Sequence, residues 1–159
     1  MKEILEILEK DARTTPDEIA TMTGKTLSEV ESLIREAEKK RIILKYKTVI
    51  NWEKVKEPQV WALIEVKVQP QRGVGFDAIA ERIYRFPQTR SVYLVSGTYD
   101  LSVLVVGKTM QEVASFVSEK LATLESVQGT ITHFMLKKFK EDGDILEDKG
   151  PTQRIPVSS

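Results

Sequence analysis

The sequence predicts an α+β fold, an N-terminal winged helix-turn-helix followed by a ferredoxin-like βαββαβ sandwich. Two observations predict it. The first 50 residues contain three amphipathic helical segments, with a short glycine-containing turn between the second and the third. The next part alternates β-branched and helical runs in the order strand, helix, strand, strand, helix, strand. The predicted boundaries are 1–50 for the helix-turn-helix, 51–59 for a linker, 60–141 for the sandwich and 142–159 for a flexible acidic tail.

The first two helices are predicted from apolar spacing and from capping signals. Residues 2–10 place apolar side chains at helical spacing. The second helix begins with a capping box from Thr15 to Glu18, has Pro16 at its first position and ends at Gly24. The side chains expected on the buried faces of the two helices are Ile4, Leu5, Leu8, Ile19, Ala20 and Met22.

The third helix completes the helix-turn-helix. Thr26 and Glu29 form a second capping box, and the helix is expected to run to about Arg41. Its buried face is expected to carry Val30, Leu33, Ile34 and Ala37. The following run "RIILKYKTVINWEKV" is rich in β-branched and aromatic residues, which predicts a strand or small wing and then a link.

The sandwich is predicted from short strands separated by turn signals. Gly73 and Gly75 precede the first helix, and Gly97-Thr98 is a two-residue hairpin signal between the central strands. Thr109 is expected to cap the second helix. The predicted elements are the strand "VWALIEVKV", the helix "FDAIAERIYRF", the strands "SVYLVS" and "YDLSVLVV", the helix "TMQEVASFVSEKLATL" and the strand "GTITHFMLKKF".

The central strands are apolar on both faces. The runs "VYLV" and "LSVLVV" lack the alternation expected of a sheet with one solvated face. The two helices can cover only one face, so the other is expected to meet a second copy of the chain across a two-fold axis. The sequence therefore predicts a homodimer.

Composition excludes several classes of protein. An apolar content of 41% supports a core, and 24 basic residues balance 24 acidic ones, so any affinity for nucleic acid must come from a local patch. The absence of cysteine excludes disulfides and thiolate metal sites and fits a reducing cytosol. The N-terminus is charged rather than signal-like, and no apolar run approaches the ~20 residues of a membrane span. We expect a cytoplasmic protein that does not bind membranes.

The order and spacing of these elements resemble the Lrp/AsnC (feast/famine) family over about residues 3–141. The stretches that carry the resemblance are "LEKDARTTPDEIA", "KKRIILKYKTVIN" and "LVSGTYDLSVLVV". The resemblance implies a DNA-binding transcription regulator that binds double-stranded DNA and needs no cofactor. Its C-terminal sandwich (the RAM domain) is expected to dimerise through the sheet, to assemble further, for example into octamers, and to bind a small effector. In the family this effector is usually an amino acid, held between subunits near the hairpin that joins the two central strands.

The hairpin is the candidate effector site. Gly97 permits positive φ and leaves backbone amides open to a carboxylate, while Asp100 can accept from an ammonium group. A plain hairpin is the alternative interpretation. The candidate residues are Ser96, Gly97, Thr98, Tyr99 and Asp100, with Gln128, Thr130 and Thr132 at the start of the last strand.

The third helix is the candidate DNA reader, although it carries four glutamates and only Arg35 as a base between Leu27 and Glu38. Glu29 is explained by capping, whereas Glu31 is explained only if it accepts from a cytosine. A solvated charged face is the alternative interpretation. The candidate DNA-binding residues are Lys25, Thr26, Ser28, Ser32, Arg35, Lys39, Lys40, Arg41, Lys45 and Lys47.

Two other functions compete with that of a regulator. A branch resembling this family decarboxylates sirohaem-type tetrapyrroles, but His133 is the only histidine available to such a site. That histidine is expected to be structural, and without cysteines it cannot build a conventional zinc site alone. The other alternative is an effector sensor or assembly partner that does not bind DNA. We therefore expect a regulator that is neither an enzyme nor a metalloprotein.

Overall fold

The computed structural model describes residues 1–57, 59–69 and 75–147. The chain forms two compact units, Met1–Ile50 and Asn51–Ser159. Gly73, predicted to break the chain before a helix, lies outside the described residues, whereas Gly75 is the N-cap of that helix. No helix within the described ranges is long and apolar enough to cross a bilayer.

The first unit is a three-helix domain. It contains α1 (Lys2–Lys10), α2 (Pro16–Thr23) and α3 (Leu27–Lys39). Both predicted capping boxes form, and Gly24 ends α2 at φ 67°, in the left-handed region that glycine enters readily. The buried core consists of Ile4, Leu8, Ile19, Ala20 and Val30. The helix-turn-helix predicted from the caps is therefore present.

Two details of this unit differ from the prediction. Met22, expected in the core, is 65% exposed. The buried residues of α2 are Ile19 and Ala20, and Met22 lies about 160° around the helix from Ala20, beyond the side that α2 packs against its neighbours. Residues 42–51, expected to form a strand or wing, contain no helix or strand. No second strand within this unit is available to hydrogen bond with them, and an unpaired strand is not stable.

The second unit is the predicted βαββαβ sandwich. After a 3₁₀ turn at Trp52–Val55, the elements are β1 (Val60–Val68), α4 (Phe76–Tyr84), β2 (Thr89–Leu94), β3 (Leu101–Gly107), α5 (Met110–Phe116) and β4 (Val127–Phe134). α5 continues as a π-helical turn at Val117–Leu121, and Thr109 caps it as expected. The strand order β2-β3-β1-β4 is antiparallel throughout.

One face of the sheet packs under the helices. In β1 and β3 every second residue is buried, and these side chains meet the apolar faces of α4 and α5. Phe86 and Phe116 add an edge-to-face contact with ring centroids 5.4 Å apart. The fully buried members of this core include Ala62, Ile64, Val66, Ile83, Val103, Val105 and Leu121.

The opposite side, which we call the open face, is not covered by α4 or α5. Leu63 lies between Leu104 and His133 in the register, and Glu65 lies between Ser102 and Ile131. His133 Nε2 is 3.2 Å from Glu65 Oε2, and both side chains are partly exposed. The open face thus combines apolar side chains such as Leu63, Leu104 and Ile131 with polar ones, among them Ser102 and the His133–Glu65 pair.

The chain after β4 folds back on its own unit. β5 (Lys140–Glu141) and β6 (Asp144–Ile145) form a two-stranded hairpin, and the Lys138 ammonium lies 3.5 Å from the centroid of the Trp61 ring. Asn51 Nδ2 donates to the Leu146 carbonyl at 3.0 Å. The acidic tail predicted to be flexible from residue 142 therefore begins with a hydrogen-bonded hairpin; residues 148–159 lie outside the described part.

We expect Leu121→Ala to lower the free energy of unfolding of the second unit by about 2–5 kcal/mol, because the fully buried side chain would leave a cavity. Leu136→Ala deletes the same atoms from a side chain that is 90% exposed. This control is expected to change the free energy of unfolding by less than about 0.5 kcal/mol. Urea unfolding followed by circular dichroism measures both. Equal losses would contradict the assignment of this core.

Candidate functional site

One exposed stripe runs along α3. Ser28, Ser32, Arg35 and Lys39 are separated by four, three and four positions, so they share one side of the helix, and all are exposed. Val30 and Ala37 are fully buried on the other side. The stripe therefore presents two hydroxyls, a guanidinium and an ammonium group to solvent.

Thr26 and Glu29 close the N-terminus of α3. The Glu29 carboxylate accepts from the Thr26 amide at 2.8 Å and from its hydroxyl at 2.7 Å. In return, the Glu29 amide donates to Thr26 Oγ1 at 3.3 Å. The hydrogen bonds from the Thr26 backbone and then its side chain hold the pKa of Glu29 below its usual value. Thr26 is thus exposed but already engaged as a cap.

The other three glutamates of α3 also have partners. Glu31 Oε2 lies 3.6 Å from Arg35 Nη2 one turn later. Glu36 Oε1 lies 2.6 Å from Lys40 Nζ, and this hydrogen bond lowers the pKa of Glu36. Each of these pairs has the i,i+4 spacing that favours an ion pair on a helix.

Glu38 binds the segment that follows the helix. Its Oε1 accepts from the Tyr46 hydroxyl at 3.0 Å. Burial, and then the nearby Glu38 carboxylate, raise the pKa of the Tyr46 hydroxyl above its ordinary value. The acid-rich helix therefore offsets or uses each of its negative charges within its own unit.

The remaining basic residues that were predicted to bind DNA lie at both ends of α3. Lys25 is half-buried in the turn before it, while Lys39, Arg41 and Lys45 are exposed and make no ion pair within the described chain. Lys40 is exposed and paired with Glu36, and Lys47 is exposed. Lys39, Arg41 and Lys45 thus place unpaired positive charge at and after the C-terminal end of the helix.

The candidate effector loop differs from the predicted two-residue turn. β2 ends at Leu94, and the Val95 amide donates to the Asp100 carbonyl at 2.9 Å. The Val95–Asp100 pair closes the hairpin, so the loop contains the four residues 96–99 instead of the two-residue turn expected at Gly97-Thr98. Gly97 has φ 137°, a conformation that other residues rarely adopt. Ser96, Gly97 and Thr98 are exposed, and Tyr99 is half-buried.

Asp100 anchors this loop on β1. Its amide donates to the Val66 carbonyl at 3.1 Å, and its Oδ2 accepts from the Val68 amide at 2.9 Å. The same oxygen is 3.2 Å from Lys67 Nζ. The Val68 hydrogen bond is the larger cause, and the Lys67 ammonium a smaller one, of the lowered pKa of Asp100.

The remaining candidate residues lie on β4. Gln128 is exposed and donates from Nε2 to Gln69 Oε1 at 2.7 Å, at the same end of β1 as Asp100. β1 separates Asp100 from this side chain, so the two strands that carry them are roughly 10 Å apart. Thr130 and Thr132 pair with Val66 and Ile64, which places both on the helix-covered side and Thr132 further from the loop.

Lys67 was not among the predicted site residues. Strand alternation in "VWALIEVKV" indicates only that Lys67 lies opposite the buried side of β1. Its position beside Asp100 depends on the pairing of β1 with β3, which the sequence does not specify. Within the described ranges, no cluster of three or more histidine or acidic side chains is suited to holding a metal ion.

Comparisons with known proteins account for both units. Residues 61–145 match the Lrp/AsnC ligand binding domain, and residues 1–43 match a winged helix-turn-helix DNA-binding domain. The uncharacterized HTH-type transcriptional regulator YugG of Bacillus subtilis is 52% identical to this chain over 157 residues, which cover 98% of this chain and 95% of that protein.

Solved structures show the same fold. A feast or famine regulatory protein of M. tuberculosis complexed with L-methionine gives a TM-score of 0.73 at 23% identity, over 92% of this chain and 96% of that chain. A transcriptional regulator of Neisseria meningitidis in complex with L-methionine gives 0.70 at 22% identity, over 87% and 89%.

The predicted fold class and family are thereby confirmed. The related proteins are named as transcriptional regulators, so the alternative of a tetrapyrrole decarboxylase is set aside. The chain belongs to the Lrp/AsnC family and is a DNA-binding transcription regulator with a C-terminal ligand-binding domain, not an enzyme.

Proposed function

We propose that this regulator reads operator DNA in the cytoplasm through the exposed stripe of α3, and that an amino acid bound at loop 96–99 adjusts its DNA binding or assembly. The observation that carries the proposal is the capped α3, which leaves Ser28, Ser32, Arg35 and Lys39 on one exposed side. A helix of this kind fits the major groove with its polar side toward the base edges.

The residues on and just after α3 are suited to two kinds of DNA contact. Ser28, Ser32 and Arg35 can bond base edges, whereas Lys39, Arg41 and Lys45 suit phosphates beside the groove. Four glutamates on the same helix weaken the attraction of one domain for DNA. Several domains binding together would restore affinity through effective concentration, so assembly is part of the proposed mechanism.

The open face supports the proposal of a homodimer. Leu63, Leu104, Val106 and Ile131 lie on the side of the sheet that α4 and α5 leave uncovered. Covering these side chains with the same face of a second copy would remove apolar surface from water. We propose that such dimers assemble further, for example into octamers.

The effector loop offers groups suited to a zwitterion. Asp100 supplies a carboxylate, Lys67 an ammonium group, and the backbone around Gly97 exposes amides to an anion. An amino acid's ammonium would compete with Lys67 for Asp100 while its carboxylate approaches the loop. Two related folds have been solved with L-methionine, which supports an amino acid as the class of effector.

We expect Lys45→Ala to lower the magnitude of the slope of log K against log salt for DNA binding by about 1, because one phosphate contact is lost. Lys120→Ala removes a lysine that is also exposed, but from the other unit, and is expected to leave the slope unchanged. Fluorescence anisotropy on promoter fragments measures both slopes.

The ion pairs formed by basic residues of α3 favour a second candidate function. Arg35 and Lys40 both face glutamates, and a helix neutralised in this way could serve an effector sensor that does not bind DNA through α3. That alternative would replace the proposal if no fragment bound more tightly than random DNA at low salt, with or without amino acids.

A thermal-shift screen across the common amino acids tests the effector site. A ligand that binds only the folded protein raises the melting temperature by mass action. Asp100→Asn keeps an oxygen that can accept from the Val68 amide but removes the charge that would hold an ammonium group, so we expect the shift to disappear. Asp144→Asn is the control, since it neutralises an exposed aspartate in β6. A shift that persists in Asp100→Asn would move the site away from this loop.

The pH dependence of stability tests whether the negative charge of Asp100 stabilises the folded protein. Because its folded pKa is lowered, the stability that its ionisation contributes is complete above the ordinary aspartate pKa and is lost as pH falls through the folded value. We expect the native chain to be more stable than Asp100→Asn at pH 7, and this gap to close below about pH 4. Urea midpoints measured across this range check it; a gap independent of pH would exclude the charge as its cause.

A further inference from the structure

Glu31 stands apart from the other acidic residues of α3. Glu29 closes the N-terminal cap, Glu36 pairs with Lys40 at the helix end, and Glu38 binds Tyr46. Glu31 neither caps the helix nor binds a residue at or after the helix end. It forms an ion pair with Arg35, the guanidinium of the exposed stripe, with Oε2 and Nη2 3.6 Å apart.

The Glu31–Arg35 pair is too exposed to contribute much to folding. The side chains are 44% and 68% exposed, and ion pairs on such surfaces are screened by water. At 3.6 Å the two groups form an ion pair rather than a direct hydrogen bond, so the carboxylate can favour those rotamers of Arg35 that keep the guanidinium beside it. A guanidinium carries five N–H donors in a fixed fork, so one edge can face a carboxylate while another edge faces a base.

We propose that Glu31 is a positioning residue for sequence recognition, which holds the Arg35 guanidinium toward a guanine in the major groove. Arginine reads guanine through paired hydrogen bonds to O6 and N7, and the strength of that contact depends on the orientation of the fork. The inference rests on the proposed DNA contact of α3.

The orientation of Arg35, rather than the charge of Glu31, would provide the selectivity. Near phosphates a carboxylate lowers affinity for every DNA sequence. Because this repulsion is the same at every site, it cancels when the affinities of two sites are compared, whereas the oriented Arg35–guanine contact is gained only at the correct site. Discrimination therefore rises through the orientation of Arg35, while total affinity falls through the charge of Glu31.

Direct reading by Glu31 is the competing explanation, since a glutamate can accept from the cytosine amino group. The two explanations differ in which base is affected. If Glu31 acts through Arg35, both residues govern the same base position. If Glu31 reads cytosine itself, its base position is separate from that of Arg35.

Binding-site selection with the full chain distinguishes these possibilities. We expect Arg35→Gln to reduce the preference for guanine at one position by roughly 5- to 100-fold. Glu31→Gln is expected to reduce the preference at that same position by about two- to five-fold, while total affinity rises. Glu36→Gln is the matched control, because it removes another i,i+4 glutamate from α3; it should raise affinity without changing the preference.

A double variant separates positioning from charge. If Glu31 acts only through Arg35, then Glu31→Gln added to Arg35→Gln causes no further loss of preference at that position. Thermal melts of each variant verify folding, and Arg35→Lys supplies a second variant that keeps the charge but loses the fork.

Three results would overturn the inference. Glu31→Gln could change affinity uniformly as Glu36→Gln does, or it could alter a base position that Arg35→Gln leaves intact. In both cases Arg35 still reads DNA and only the role of Glu31 fails. If Arg35→Gln and Arg35→Lys leave all base preferences unchanged, the proposed reading by Arg35 fails as well, which separates the two failures.

Discussion

The antiparallel pairing of β1 with both β3 and β4 is the constraint on which the second unit depends. As a central strand, β1 has its backbone groups bonded on both edges, and its alternation divides the sheet into a helix-covered face and an open face. The same pairing brings Asp100 to the amide of Val68 and the ammonium of Lys67. The core, the open face and the loop are thus consequences of one register.

Local charge pairing has the corresponding role in the first unit. The net charge of α3 is negative, which opposes DNA binding, yet its glutamates have different partners. One glutamate caps the helix, one binds the following segment through Tyr46, and two form ion pairs with Arg35 and Lys40 one turn later. The arrangement of charge around the stripe, rather than the net charge of α3, therefore matters for the proposed DNA contact.

Features set by short-range chemistry were predictable. The caps at Thr15, Thr26 and Thr109 depend on residues three positions apart, and the strand at Val60–Val68 depends on its own composition. Features that depend on distant partners were not. The packing of α2 against its neighbours leaves Met22 exposed, and the loop after β2 is longer than expected where Asp100 is held on β1 by Val66 and Val68. The Leu146 carbonyl just after the β5–β6 hairpin accepts from Asn51, which is far away in the chain.

The sequence by itself determined the element order, the helix termini and the resemblance to the family, because capping, periodicity and turn signals act over a few residues. It also determined the chemistry available to each candidate site. Only the tertiary structure decided that Asp100 meets Lys67 and that residues 42–51 remain without a strand partner. It also decided which rotamers bring Glu31 to Arg35. Those outcomes depend on strand register, packing and side-chain orientation, which short-range patterns do not specify.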